Sequence, residues 1–251
     1  MATNKQPEQS KTPHPQVGKP TTSNLPAIGD WVIYKNNQLI AFNKPPGIPV
    51  QPDKTGDKSL QQLGEIYCKS KLFLIHRIDR PASGVVLFAR NKKAVGLLND
   101  QFKDRSVKKT YLAVVKNRPD KKEGTAQHFL VKHQKSNKSV VSEEGADGSK
   151  KATLKYKVLG ASDNYHLLQL DLITGRHHQI RAQLAAMDNP IKGDVKYGFR
   201  RSNKDRSIHL HAWKLTFNHP VSKETVSLAA SPPVDPVWDF FKEQLLINGE
   251  R

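Results

Sequence analysis

The segments TLKYKVL (153–159) and YHLLQLDLI (165–173) alternate apolar with polar side chains, the two-residue period of strands that lay one face on a core. Short apolar runs recur on either side of them. WVIY (31–34) and LIAF (39–42) flank Asn36 and Asn37 as in a hairpin. LFLI (72–75) reads as a buried strand, and GVVLFA (84–89), KTYLAVVK (109–116), IHLHAWKLTF (208–217) and TVSLA (225–229) read as further strands. Helical spacing interrupts these runs at uneven intervals. Leu60, Leu63 and Tyr67 share a stripe after Ser59, and Asn91 caps a helix carrying Ala94, Leu97, Leu98 and Phe102. HHQIRAQLAAM (177–187) follows a break at Thr174 and Gly175, and Asp235 with Pro236 opens a last helix bearing Val237, Phe240, Phe241 and Leu245. Irregular interspersion, rather than strict βαβ alternation, predicts an α+β fold on a mostly antiparallel sheet.

Residues 1–28, rich in Pro, Thr, Ser, Gln and Lys, cannot repay the entropy of ordering and read as a flexible polar tail, leaving one folded domain over 29–251. A lysine-rich stretch at 132–151 reads as an exposed loop or hairpin arm. The 251 residues carry 41 Lys plus Arg against 23 Asp plus Glu, a net charge of +18, so the field around the protein attracts a polyanion. The lone Cys68 excludes an internal disulfide and a cysteine-rich zinc site. No apolar run approaches the roughly 18 residues of a membrane span, and the first residues lack the apolar centre of a secretory signal. A reducing, cytoplasmic setting follows.

Asp79 stands among His76, Arg77 and Arg80 in HRIDRPASG (76–84), where Pro81, Ser83 and Gly84 mark an irregular loop between two apolar runs. A carboxylate placed there suits a nucleophile or base beside a polyanion. The same pattern also suits an aspartate that merely neutralises its neighbours. Tyr111, in KTYLAVV (109–115), reads as core or as a platform on which a base stacks. In TGRHHQIRAQL (174–184), Arg176 and Arg181 enter a helix, where a cation opposes the macrodipole unless it meets an anion or stands solvated at the surface. His177, His178, His209 and His211 raise the question of a metal, but no carboxylate or cysteine spacing completes a ligand set. Gly-rich phosphate loops are absent, as are the converging carboxylates of a two-metal nuclease.

Taken together, the segments resemble the RluA-type family of RNA pseudouridine synthases over about residues 31–245. HRIDRPASG is similar to that family's catalytic loop HRLDxxTSG, KTYLAVV to its KxYxAxV segment, and LITGRHHQIRAQLA (172–185) to LxTGRxHQIRxxLA. NKPPGIPV (43–50), GDVKYG (193–198) and LHAWKLTFNHP (210–220) agree as well. Two positions depart from the pattern: Ile78 stands for Leu, and Ala82 for the loop Thr, which removes a hydroxyl that could shape the loop.

The resemblance implies a central mixed, largely antiparallel sheet with flanking helices and a basic cleft, in a chain that holds the catalytic domain only. It implies uridine-to-pseudouridine isomerisation in structured ribosomal or transfer RNA, without metal or organic cofactor. Asp79 would be the nucleophile, Tyr111 the active-site tyrosine that stacks on the flipped base and helps to move the proton, and Arg181 the partner that aligns Asp79 through a bidentate contact. Arg77 would fill the space that the flipped base vacates. His76, Arg80, Arg176, His178, Lys196, Arg200 and Arg201, with lysines of 132–157, would hold the RNA backbone. The expected partner is RNA rather than DNA or a membrane, and the expected state is a monomer. The competing reading is a noncatalytic RNA-binding or ribosome-associated protein on the same scaffold. Ala82 speaks for that rival, and the intact Asp79, Tyr111 and Arg181 set speaks against it.

Overall fold

Asn36 makes the first turn of the sheet: its Oδ1 accepts from the backbone N–H groups of Gln38 and Leu39 at 2.9 and 2.8 Å, closing the hairpin between β1 (Val32–Lys35) and β2 (Leu39–Lys44). This computed structural model describes residues 27–247. The tail expected at 1–28 lies outside the described residues up to position 26, and Ile28 already begins a 3-10 turn (Ile28–Trp31) that buries Trp31.

Ser59 and Gln62 form a reciprocal capping box at the start of α1 (Leu60–Cys68). After β3 (Phe73–Leu74) and β4 (Ser83–Ala89), the Asn91 side chain caps α2 (Lys92–Lys103) as its sequence predicts. β5 (Lys108–Val115) leads to a hairpin of β6 (Glu123–His133) and β7 (Lys138–Ser142), the arm foreshadowed by the lysine-rich stretch. β8 (Lys150–Ala161), β9 (His166–Leu172) and α3 (Gln179–Ala186) follow, then β10 (Leu210–Asn218), β11 (Thr225–Ala229) and α4 (Pro236–Ile247).

Eleven strands among the described residues form one mixed sheet, ordered β1-β2-β4-β10-β5-β9-β8-β6-β7, with β3 on β4 and β11 on β10. α1 and α3 cover one face, packing Leu60, Ile180 and Leu184 against Phe42, Phe88 and Leu154. α2 covers the other face, with Leu98 against Leu39, Leu87 and Phe217. Among the described side chains of α4, Trp238 and Phe241 are buried, packed on Leu112 and Trp213. Phe240, expected on that buried face, is 43% exposed because its position points away from the face shared by Trp238 and Phe241. The side chain of Leu245 lies outside the described residues. No described helix is long and apolar enough to cross a membrane.

Among the described residues the one parallel pairing, between β4 and β10, is two residues long, joining Ser83 to His211 and Gly84 to Ala212. Beyond it the halves part: β4 continues along β2, and β10 along β11. Gly84 permits this contact. It has φ +114°, and a Cβ there would lie 2.2 Å from the Ala212 carbonyl oxygen. Beside it, the Ser83 hydroxyl lies 2.8 Å from His211 Nδ1, and His211 Nε2 donates to the Ala230 carbonyl at 2.8 Å. Burial pushes the His211 ring down to about 4, so it is neutral, with Nδ1 free to accept from Ser83. Gly84→Ala is therefore expected to cost roughly 3 kcal/mol through overpacking and backbone strain. A urea midpoint equal to the parent's would show that the junction yields without cost.

LFLI, expected as a buried strand, contributes only half-buried Phe73 and Leu74 to the ladder. The reason is local. Between β3 and β10, the Leu87 N–H of β4 is taken at 3.1 Å by His76 Nε2, so an imidazole stands where the strand would continue.

Candidate active site

The chain between β3 and β4 carries Asp79 into a cavity of about 500 Å³ lined also by Arg77, Tyr111, Lys132, Arg176 and Arg181. Two cations pin this loop from below. Lys44, completely buried, donates from Nζ to the carbonyls of Pro45 (2.8 Å), Ile48 (2.9 Å) and Arg80 (3.1 Å). Burial pushes its ammonium down to about 7, although the Asp79 charge pulls the other way. Arg80 donates to the Gly47 carbonyl and the Thr55 hydroxyl, each at 2.8 Å, and pairs with Asp57. The loop geometry thus rests on Lys44 and Arg80. Ala82, which lacks the hydroxyl of the resembling motif, is buried among apolar side chains, and its N–H closes a turn onto the Asp79 carbonyl at 3.1 Å.

On the opposite wall, Thr174 and Gln179 latch the approach to α3: the Thr174 hydroxyl donates to Gln179 Oε1 at 2.7 Å, and the Arg176 N–H joins it at 2.9 Å. His178 then takes a left-handed conformation (φ +50°) as the residue before the helix, and Arg181 falls in the first turn. Arg181 meets two acids. Nη1 donates to Asp79 Oδ2 at 3.0 Å, while Nε and Nη2 grip the two oxygens of Asp194 at 2.7 and 2.8 Å. The bidentate contact expected for Asp79 therefore belongs to Asp194, because the guanidinium edge carrying Nε and Nη2 faces that residue and leaves one N–H for Asp79. Burial works against the Arg181 charge, but the hydrogen bonds and charges of Asp194 and Asp79 outweigh it and hold the guanidinium above its ordinary range. Its plane also lies over the Tyr197 ring, 4.8 Å from the centroid.

Tyr111 is 8% exposed, so it is at once a core ring and part of the cavity wall. Burial, then the Asp79 charge, raise its phenol above the ordinary range and keep it protonated. His178 Nε2 lies 3.7 Å from Asp79 Oδ1, its Nδ1 meets the Tyr197 hydroxyl at 2.9 Å, and its ring stacks on His177.

The residues expected on the RNA backbone stand in different surroundings. Burial pushes His178 down to about 3, so it is a neutral wall of the site and not a cation for phosphate. His76, also pushed to about 3 by burial, spends Nε2 on the Leu87 N–H. Arg80 is committed to the loop at 47–57. Arg77 is exposed at the cavity, and Arg176 lines it while donating to the Lys151 carbonyl at 3.0 Å. Lys196 stands within the fields of Arg181, Asp194 and Asp79. Arg200 and Arg201 line a separate groove. Among the residues that contact the site machinery without a role assigned from sequence are Lys44 and Asp194. Their signals were a lysine before the Pro-Pro-Gly turn and an acid after Gly193. No cluster of three or more His, Cys, Asp or Glu residues able to hold a metal occurs among the described residues.

A carboxylate fixed by one guanidinium N–H, beside a protonated phenol and an open cavity rimmed by cations, suits nucleophilic attack on a planar, anionic-backbone substrate. Residues 38–186 match the family described as RNA pseudouridylate synthase. The chain is 32% identical over 214 residues to ribosomal large subunit pseudouridine synthase C of Rickettsia felis, covering 81% of this chain and 68% of that protein. It is 31% identical over 244 residues to tRNA pseudouridine synthase C of Haemophilus ducreyi, covering 86% and 94%. Among solved structures, human RNA Pseudouridylate Synthase Domain Containing 4 superposes with a TM-score of 0.69 at 26% identity, covering 88% of this chain and 93% of that one.

Proposed function

We infer the reaction from membership and site together: the chain belongs to the RNA pseudouridylate synthase family, isomerases that convert uridine to pseudouridine in RNA. The finer reading is that it modifies uridines in structured ribosomal or transfer RNA, with Asp79 as nucleophile. Relatives of similar identity carry names for each kind of RNA, which supports both as substrates to be tried.

In this reading the target uridine leaves its stack and enters the cavity, against Tyr111. Asp79 attacks the nucleoside, the bond from C1′ to N1 breaks, and the uracil turns. C5 then bonds to C1′, the bond to Asp79 breaks and frees the carboxylate, the C5 proton leaves to water, and N1 takes a proton, so the product is an isomer of the substrate. Burial holds the Tyr111 phenol protonated in the free site, where it offers a stacking ring and a hydrogen-bond donor to the entering base. Arg77, exposed at the rim, fills the gap in the RNA stack. Arg176, Lys196 and Lys132 hold backbone phosphates.

The observation that carries the reading is the Asp79 carboxylate, 22% exposed at the cavity and held by Arg181. The test is tritium release from pooled ribosomal and transfer RNA labelled at uridine C5. Release confirms turnover. Intact RNA binding with no release would favour the noncatalytic scaffold instead.

A further inference from the structure

At the far end of β5 from Tyr111 lies a second hollow, about 480 Å³ in volume, whose walls include Lys116, Lys192, Arg200, Arg201, Tyr165 and Phe199. Lys116, Arg200 and Arg201 are exposed, and no carboxylate among the described residues pairs with them. One acid, Asp188, stands in its wall, its carboxylate met at 3.4 Å by the neutral Asn117 amide, so the cations Lys116, Lys192, Arg200 and Arg201 face a single negative charge. The field in this groove is therefore positive, with two aromatic rings at hand.

The groove is fixed to the Asp79 site by one continuous segment. Ile191 bridges Val115, and the Lys192 N–H donates to the Val114 carbonyl at 2.8 Å, nailing the segment to the end of β5. Two residues later, Asp194 grips Arg181, and Lys196 stands in the field of Asp79. Gly198, at φ +97°, then turns the chain, and Phe199–Asn203 enter the groove. Tyr111 and Lys116 are five residues apart along an extended strand, about 17 Å at roughly 3.4 Å per residue. One RNA chain can reach both places while a single nucleotide occupies the cavity.

We propose that this groove is a second RNA site, taking backbone phosphates that flank the target uridine and so selecting for long, folded substrates over short ones. The inference rests on the RNA-modifying reading above. Phosphate is the ligand chemistry that fits, because three unpaired cations in an open groove gain from counterion release, and their rigid tie to Asp194 sets the distance from the reacting base.

The test measures binding, so it does not depend on turnover. Full-length transcripts and a short uridine-containing oligonucleotide are titrated with the parent protein and with Lys116→Gln/Arg200→Gln/Arg201→Gln, over a range of salt. The parent should prefer the long RNA, and the triple variant should lose that preference by tenfold or more. Its salt slope on long RNA should flatten by about 2, as roughly 0.7 per phosphate contact implies for single strands. Arg200→Lys/Arg201→Lys should keep the slope. An unchanged slope and length preference in the triple variant would overturn the groove, as would an equal loss on both RNAs. Failure of the parent to release tritium would instead strike the catalytic reading and leave this comparison valid.

Discussion

Asp79→Asn is expected to lower pseudouridine formation by ~10⁴-fold or more while leaving RNA affinity within about tenfold. The carboxamide has nearly the shape of the carboxylate, and its oxygen can still accept from Arg181 Nη1, which stands 3.0 Å from Asp79 Oδ2 in the parent. The loop itself hangs on Lys44 and Arg80, which bind backbone carbonyls and the 47–57 loop and not the Asp79 side chain. What disappears is the nucleophilic oxygen anion. Removing one negative charge from a cation-rimmed cavity does not weaken phosphate contacts. Tritium release and filter binding on the same RNA separate the two effects. Turnover within tenfold of the parent would remove Asp79 from the chemistry, whereas equal collapse of binding and turnover would make it a folding residue.

Much of the sheet was legible because burial on one face imposes a two-residue period, which TLKYKVL and YHLLQLDLI display directly. LFLI misled because four apolar residues in a row do not show where pairing stops. Here a side chain, His76, takes over the ladder at Leu87. Asp79, Tyr111 and Arg181, far apart in the chain, line one cavity. Partnership was not legible: charge in a sequence says nothing of what neutralises it. Arg80 was read as a phosphate contact, yet Gly47, Thr55 and Asp57 consume its donors. Arg181 was given wholly to Asp79, because GDVKYG shows an acid at 194 but not that Arg181, 13 residues earlier, is its partner. Lys196 and Arg200 look like one patch until the left-handed turn at Gly198 sends them to different places.

The shared arginine makes the second large prediction. Arg181→Lys keeps the charge but replaces a planar fork by a single ammonium, which cannot hold both oxygens of Asp194 and still reach Asp79. Asp194 is 1% exposed, so the stronger demand is its own: leaving that buried carboxylate short of partners costs about 3–5 kcal/mol when a pair is broken outright. The lysine should therefore settle on Asp194, and Asp79 should lose its tether. Turnover is expected to fall at least ~100-fold, since a misplaced reacting group alone can cost that much, while RNA affinity stays within a few-fold. If Arg181 supplied only positive charge, Arg181→Lys would be nearly silent and Asp194→Asn would raise activity by freeing the guanidinium for Asp79. If it is a three-point clamp, both variants lose turnover, and Asp194→Asn also lowers the urea midpoint, because its amide would turn an N–H toward the donors of Arg181. Single-turnover rates at saturating RNA, read beside unfolding curves, decide between charge and geometry.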